Sequence, residues 1–247
     1  MSDKKWFETW FDSKYYHILY QHRDDQEAQR FLTNLIDAIH LNSNQRILDL
    51  ACGKGRHARF LNEKGFDVVG MDLSSESIAH AHQFGNERLH FEVQDMRNEI
   101  GVKEFDVVLN LFTSFGYFDD TSDNIKVLNS IKKSLKPRAT VVIDFMNVHK
   151  VVDNLVVEEQ KKLDGIDFEI KRTIRDGAIV KNIKFNADGQ DWDFSERVQA
   201  LTTLDFKAMF NTVGFDIVDT YGDYSLNEFD EKNSDRLIYV LKSNSGS

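Results

Sequence analysis

Residues 47–60, ILDLACGKGRHARF, constrain this chain more than any other stretch. An apolar run carries an acidic residue, Asp49, near its end, a glycine turn follows at once, and a helix is expected from about Arg56. Glycine at 53 and 55 lets the backbone turn tightly and pass close to another molecule, while the first turn of the helix leaves N–H groups unpaired. Strand, glycine loop and helix in that order begin an α/β fold whose ligands sit at the carboxyl ends of the strands.

Gly53-x-Gly55-x-x-Ala58 also satisfies the dinucleotide fingerprint, which taken alone discriminates weakly. Asp49 separates the readings. A carboxylate beside this turn repels a pyrophosphate and attracts a cofactor that carries an ammonium and a sulfonium but no phosphate, and S-adenosylmethionine fits that charge pattern. A second acidic residue, Asp72, ends the run Val68-Val69-Gly70-Met71-Asp72, where it can accept both hydroxyls of a ribose. Either cofactor uses that interaction. In Phe91-Glu92-Val93-Gln94-Asp95-Met96 a third polar residue stands at a strand end, suited to the amino group of an adenine.

With these residues in place the chain resembles the class I S-adenosylmethionine-dependent methyltransferases. The matches are the Asp-Leu-Ala-Cys-Gly-Lys-Gly loop at 49–55, Asp72 with Leu73-Ser74, the Asp95-Met96 pair, and Phe105-Asp106-Val107-Val108-Leu109-Asn110. The resemblance implies a doubly wound, mostly parallel seven-stranded α/β sheet, the Rossmann-like methyltransferase fold. It also implies cofactor contacts from Asp49, Ala51, Gly53, Gly55, Asp72, Leu73, Asp95, Met96, Asn110 and Leu111. The product of the reaction would be S-adenosylhomocysteine.

A chain of 247 residues with one Pro, 13 Gly and no Ser- or Pro-rich run shows no linker, so one domain spanning 1–247 is expected. The formal charge of −10 disfavours nucleic acid as a partner, because binders of large polyanions usually cluster basic residues on one face. A small-molecule acceptor is the expected partner, with the chain a monomer or a homodimer. Cys52 is the single cysteine, which excludes an internal disulfide and is compatible with a reducing cytosol; its small size suits a crowded turn. No apolar run approaches the roughly 20 residues of a membrane helix, and the N-terminus lacks a signal-peptide core, so a cytoplasmic location is expected. His80 and His82 lie two apart on a predicted helix and point about 200° apart, wrong for a shared metal, and no cluster has zinc spacing.

The first forty residues read as helical. Trp6, Phe7, Trp10 and Phe11 form one apolar face, and Asp24-Asp25 can cap a longer helix whose apolar positions Ala28, Phe31, Leu32, Leu35, Ile36 and Ile39 follow the 3.6-residue period. Between them, Tyr15 to Arg23 carries many aromatic groups with polar tips. These suit a lid over the cofactor, with Tyr16 and Tyr20 in contact with it; core packing is the rival reading. From Gln45 strands near 45–50, 67–72, 89–94, 105–110 and 139–145 alternate with helices near 56–64, 75–84 and 121–135, which Pro137 helps to end.

Residues 151–200 change character. Leu155-Val156-Val157, Phe168–Ile174, Ile179–Phe185 and Trp192–Val198 are β-prone runs separated by Asp164-Gly165, Asp176-Gly177 and Asp188-Gly189, an inserted antiparallel β meander. Thr202-x-x-Asp205 then resembles a capping box for a helix stopped by Gly214, and Phe215–Thr220 with Arg236–Leu241 form a closing hairpin. This layout is similar to small-molecule N-methyltransferases of the glycine and amino-sugar type, and the whole chain resembles uncharacterised bacterial methyltransferase-like proteins.

Methyl transfer from a sulfonium is an in-line displacement that needs orientation, desolvation and, for a protonated acceptor, loss of a proton. Tyr117, after the fourth strand, is the candidate to orient the acceptor or relay its proton, with Ser114 beside it; packing under the lid is the alternative. His149 is a candidate base. Arg236 is a candidate to hold an acceptor carboxylate or phosphate, with a plain salt bridge as the rival. The segment after Asn110 lacks the Asn/Asp-Pro-Pro-aromatic motif associated with amide and nucleobase acceptors. A module that binds the cofactor without turnover, and an NAD-dependent oxidoreductase, remain as alternatives.

Overall fold

The computed structural model describes residues 6–21 and 25–244. It opens with α1 (Trp6–Trp10), α2 (Lys14–Leu19) and α3 (Asp25–Ala38). Then β1 (Arg46–Leu50), α4 (Arg56–Glu63), β2 (Asp67–Asp72), α5 (Ser75–Ala81), β3 (Leu89–Val93), β4 (Phe105–Asn110), α6 (Thr121–Ser134) and β5 (Leu135–Met146) alternate. A short helix, α7 (Val148–Asp153), leads into β6 (Glu158–Leu163), β7 (Ile166–Arg175), β8 (Ala178–Ala187) and β9 (Gln190–Gln199). The chain closes with α8 (Thr203–Val213), β10 (Phe215–Tyr221) and β11 (Arg236–Ser243).

Seven strands form one sheet in the order β10-β11-β5-β4-β1-β2-β3, with β11 antiparallel to both its neighbours and the pairs from β3 to β5 parallel. Helices cover both faces, which is why β1, β2 and β4 are near-continuous buried runs without alternation. On one face α3, α4 and α5 contribute Phe31, Leu35, Leu61 and Ile78; on the other α6 and α8 contribute Leu128, Ile131, Phe206 and Phe210. From β1 the chain winds outward through β2 to β3, and from β4 it winds the other way to β5, so a crevice opens between the carboxyl ends of β1 and β4.

The inserted strands form a separate antiparallel sheet, β6-β7-β8-β9. At its turns Asp164, Asp176 and Asp188 have φ of 48°, 49° and 54°, followed by Gly165, Gly177 and Gly189 at 80°, 66° and 74°. Two successive left-handed residues make the type I′ turn that matches strand twist, as the Asp-Gly pairs predict. One expectation fails at the edge: the first strand is Glu158–Leu163, not 155–157, and Val156 and Val157 are exposed. Pairing of Leu163 with Ile166 around the first turn sets the register and overrides the low β-propensity of Glu-Glu-Gln-Lys-Lys.

One helix reading also needs correction. The first forty residues, expected as one N-terminal helical lid region, divide, because α3 is buried against the large sheet through Phe31, Leu32 and Leu35, while α1 and α2 pack on the small sheet through Trp10, Tyr15 and Leu19. The Asp24 part of the proposed cap, His22 and Arg23 lie outside the described residues. Pro137 comes three residues after α6 ends at Ser134, and it stands inside β5, beside the register shift between Phe105 and Val107 that tolerates its missing N–H. The Thr202–Asp205 capping box and the Gly214 stop are both formed. No helix among the described residues is long and apolar enough to cross a membrane.

Candidate functional site

The loop after β1 turns through left-handed residues at Ala51, Gly53 and Gly55, with φ of 65°, 54° and 79°. The two glycines serve different ends. A Cβ on Gly55 would lie 2.5 Å from the Phe91 ring, so this glycine allows loop and sheet to pack; a Cβ on Gly53 would meet nothing within 4 Å, leaving an open approach to the backbone. Asp49 lies beneath this loop, buried, where its Oδ2 accepts the amide N–H of Ala58 in the first turn of α4 at 3.1 Å. Burial pushes its carboxyl up to about 7.

Asp72 ends β2 beside the loop. Its Oδ2 accepts the Gly53 amide and its Oδ1 the Ser74 amide, each at 2.8 Å, so one carboxylate fixes both the glycine turn and the start of α5. Burial raises its pKa, and these backbone bonds oppose the rise. Ser74 caps α5 by accepting from Ser77, and its hydroxyl binds Asp12 in the turn between α1 and α2. The N-terminal segment is thereby tied to the same strand end.

A cavity of about 430 Å³ opens above these groups. Of the residues expected at a cofactor, Ala51, Gly53, Asp72, Leu73, Asp95, Met96 and Leu111 line it, and from the N-terminal segment so do Tyr16 and Tyr20; Ser114 and Tyr117 border it as well. Burial alone would raise the pKa of Asp95, but hydrogen bonds from Arg97, including Nη2 at 2.5 Å, outweigh it and hold the carboxyl below the usual range. Asp49, Gly55 and Asn110 do not line the cavity. Asn110 is buried and donates through Nδ2 to the Leu50 carbonyl at 3.1 Å, joining the ends of β4 and β1.

A second cavity of about 360 Å³ adjoins the first, and Arg56, Phe112 and Tyr117 line both. Its far wall comes from the small sheet through Arg172, Lys181 and Glu196, and Arg236 lies on another side. Arg236 does not line the first cavity. Its Nε meets Asp144 Oδ1 at 2.8 Å and its Nη2 donates to Thr113 Oγ1 at 2.9 Å. Asp144 also accepts the Phe112 amide at 2.7 Å, and this clamp holds Phe112 and Thr113 at φ of 56° and 61°, costly values for side chains of their bulk. His149 lines neither cavity; it is half exposed and lies 3.2 Å from Glu231, so as a base it is misplaced.

The Tyr117 ring packs under the N-terminal segment, meeting Trp6 and Phe11 edge-on at 5.7 and 5.4 Å, and the residue also lines both cavities. The aromatic N-terminal segment divides: Trp10, Tyr15 and Leu19 are core, whereas Tyr16, His17 and Tyr20 face the cavity. His17 was missed by the sequence reading. Burial pushes it down to about 4, and its buried Nε2 has no hydrogen-bond partner within the described protein. Lys54, Arg56 and His57 were also missed, although their positions in and after the glycine loop were a usable signal.

Residues 41–214 match a family profile described as a methyltransferase domain. YqeM of Bacillus subtilis is 37% identical over 111 residues, an alignment that spans 44% of this chain and 45% of that protein. Glycine/sarcosine N-methyltransferase of Halorhodospira halochloris is 29% identical over 205 residues, covering 80% of this chain and 75% of that enzyme. Among solved structures, an S-adenosylmethionine-dependent methyltransferase from Clostridium acetobutylicum superposes with a TM-score of 0.78 at 20% identity, covering 93% of this chain and 96% of that one.

Proposed function

The chain belongs to the methyltransferase domain family, and we propose that it transfers the methyl group of S-adenosylmethionine to the amine of a small acceptor. The observation that carries this reading is the pair of adjoining cavities, with Arg56, Phe112 and Tyr117 lining both. A donor in the first and an acceptor in the second would meet across that boundary, which is the geometry an in-line displacement requires.

The first cavity suits the cofactor. The open face of Gly53 admits close contact, and the carboxylate of Asp72 lines the cavity beside it. Leu73, Met96 and Leu111 supply apolar wall, Asp95 a carboxylate at the strand end, and the unpartnered His17 Nε2 a polar atom for a ligand. Asp49 beneath the loop acts through the field, since an adjacent cation would favour its charged form. When bound, S-adenosylmethionine supplies an electrophilic methyl group on a sulfonium.

In the second cavity Tyr117 orients the acceptor, and Phe112, held by Asp144, narrows the passage and excludes water. An amine acceptor is supported by the 29% identity over 205 residues with the glycine/sarcosine N-methyltransferase. A net charge of −10 is consistent with a small molecule and not a nucleic acid as the acceptor. The test is incubation with methyl-labelled S-adenosylmethionine and a panel of small amines, amino acids and amino sugars, together with calorimetry on S-adenosylhomocysteine and NAD. Binding of S-adenosylhomocysteine and label on an amine nitrogen support the reading. Binding of NAD alone, or label only on oxygen or carbon acceptors, rejects it.

A further inference from the structure

The small sheet presents a charged row to the second cavity. Arg172 on β7 stands directly opposite Lys181 on β8, and Lys181 directly opposite Glu196 on β9, so the three side chains share one face. Further along that face Ile170, Ile183, Phe185 and Phe194 sink into the apolar cluster under α1 and α2. The row is therefore where a dry sheet face ends and the cavity begins.

Two cations set directly opposite on neighbouring strands repel each other. Here they do so with side chains only 20% and 14% exposed, where water screens little. The local carboxylates do not balance them. Glu159 is shared, accepting Arg172 at 2.5 Å and Lys161 at 3.0 Å, and Glu196 lies 3.5 Å from the Lys181 ammonium while also accepting from Trp10 and Tyr20. Three cations thus face two carboxylates on this patch. Across the cavity Arg236 is matched by Asp144, and Arg56 and Glu27 complete its charged lining.

We infer that the gap between Arg172 and Lys181 seats an anionic group of the acceptor, a carboxylate or a phosphate. The inference rests on the second cavity being the acceptor chamber. Donors are in place: a guanidinium carries five N–H groups and an ammonium three, and the bonds of Arg172 to Glu159 and Val156 and of Lys181 to Tyr20 and Glu196 use only part of them. The acceptor is then an amine bearing an acid group, and the inserted sheet selects it.

The test is calorimetry of the protein saturated with S-adenosylhomocysteine, titrated separately with inorganic phosphate and with acetate. One anion should bind per chain, and Lys181→Met and Arg172→Met should each weaken it about tenfold, the scale of one charge-assisted hydrogen bond. Lys181→Arg should keep it, which separates loss of charge from loss of fold. Tighter phosphate binding marks a phosphorylated acceptor, and tighter acetate binding a carboxylic one. Absence of anion binding in a protein that still binds S-adenosylhomocysteine, or unchanged affinity in both Met variants, overturns the inference while leaving the cofactor reading intact. Failure to bind S-adenosylhomocysteine strikes that reading instead.

Discussion

Trp10 and Glu196 are 186 residues apart, yet the indole Nε1–H donates to Glu196 Oε1 at 2.6 Å. The Tyr20 hydroxyl reaches the same carboxylate at 2.7 Å. One side chain of the inserted sheet therefore holds both short N-terminal helices, and Tyr20 at the same time lines the first cavity. Glu196→Ala should cost about 3–5 kcal/mol, because it leaves the Lys181 ammonium without its carboxylate in a largely dry site. Trp10→Phe, which loses one hydrogen bond and some buried area, should cost about 1–2 kcal/mol. Urea unfolding measures both; a Glu196→Ala loss no greater than that of Trp10→Phe would show that Lys181 is not held by its charge partner.

The buried Asp49 predicts a pH dependence of stability. Its folded pKa, about 7, lies above the ordinary 3.8, so the folded chain keeps a proton that the unfolded chain has lost. Its contribution is full below about pH 4, declines as pH rises towards 7 and is level beyond. Asp49→Asn keeps an oxygen for the Ala58 amide and removes the charge. Its stability relative to the parent should therefore rise across that window by up to about 4 kcal/mol, read from urea unfolding at pH 4.5 and pH 8. A constant stability difference across that window would show that the Asp49 pKa is not raised. The same variant should weaken S-adenosylmethionine more than S-adenosylhomocysteine, which lacks the sulfonium; equal losses for the two ligands would remove the electrostatic role.

Asp72→Ala should weaken S-adenosylhomocysteine by about 2–4 kcal/mol, since it removes the proposed ribose contact and frees the Gly53 and Ser74 amides that shape the loop. Calorimetry gives the number directly. An unchanged affinity would place the nucleoside elsewhere.

At the boundary of the two cavities, Tyr117→Phe keeps the ring contacts with Trp6 and Phe11 and removes only the hydroxyl. Turnover with an identified acceptor should fall about tenfold or more, while S-adenosylhomocysteine affinity stays within about threefold. Loss of cofactor affinity with turnover preserved would assign the hydroxyl to the wrong ligand.

Arg236→Ala should act first on stability. Asp144 is fully buried, and removing its guanidinium partner leaves an uncompensated charge, for a loss of about 3–5 kcal/mol. The double variant Arg236→Ala with Asp144→Ala should lose less than the two single losses summed. A folded Arg236→Ala protein whose only defect is a raised acceptor KM would return Arg236 to the acceptor-binding role expected from sequence.

What the sequence determined by itself was local. The glycine loop, the acidic ends of β1 and β2, the alternation that makes a parallel sheet, the Asp-Gly turns and the Thr202–Asp205 box are each written within a few residues. Their geometry follows from backbone sterics, caps and periodicity that do not depend on distant partners. For the aromatic N-terminal segment the sequence offered a lid and core packing as rivals, and the division between core rings and cavity-facing ones came only with the fold.

The tertiary structure decided where charges go. Asp49 is legible as an acid at a strand end, but only the packing of α4 puts it under the loop with the Ala58 amide. Arg236 is legible as a cation at the start of a strand, but pairing of β11 with β5 sets it beside Asp144, 92 residues earlier. The Arg172–Lys181–Glu196 row exists only because two hairpins choose one register, and a shift of a single residue would send alternate side chains to the opposite face. A charged side chain takes its partner from whatever the fold brings within a few ångströms, and that neighbourhood is set by long-range packing.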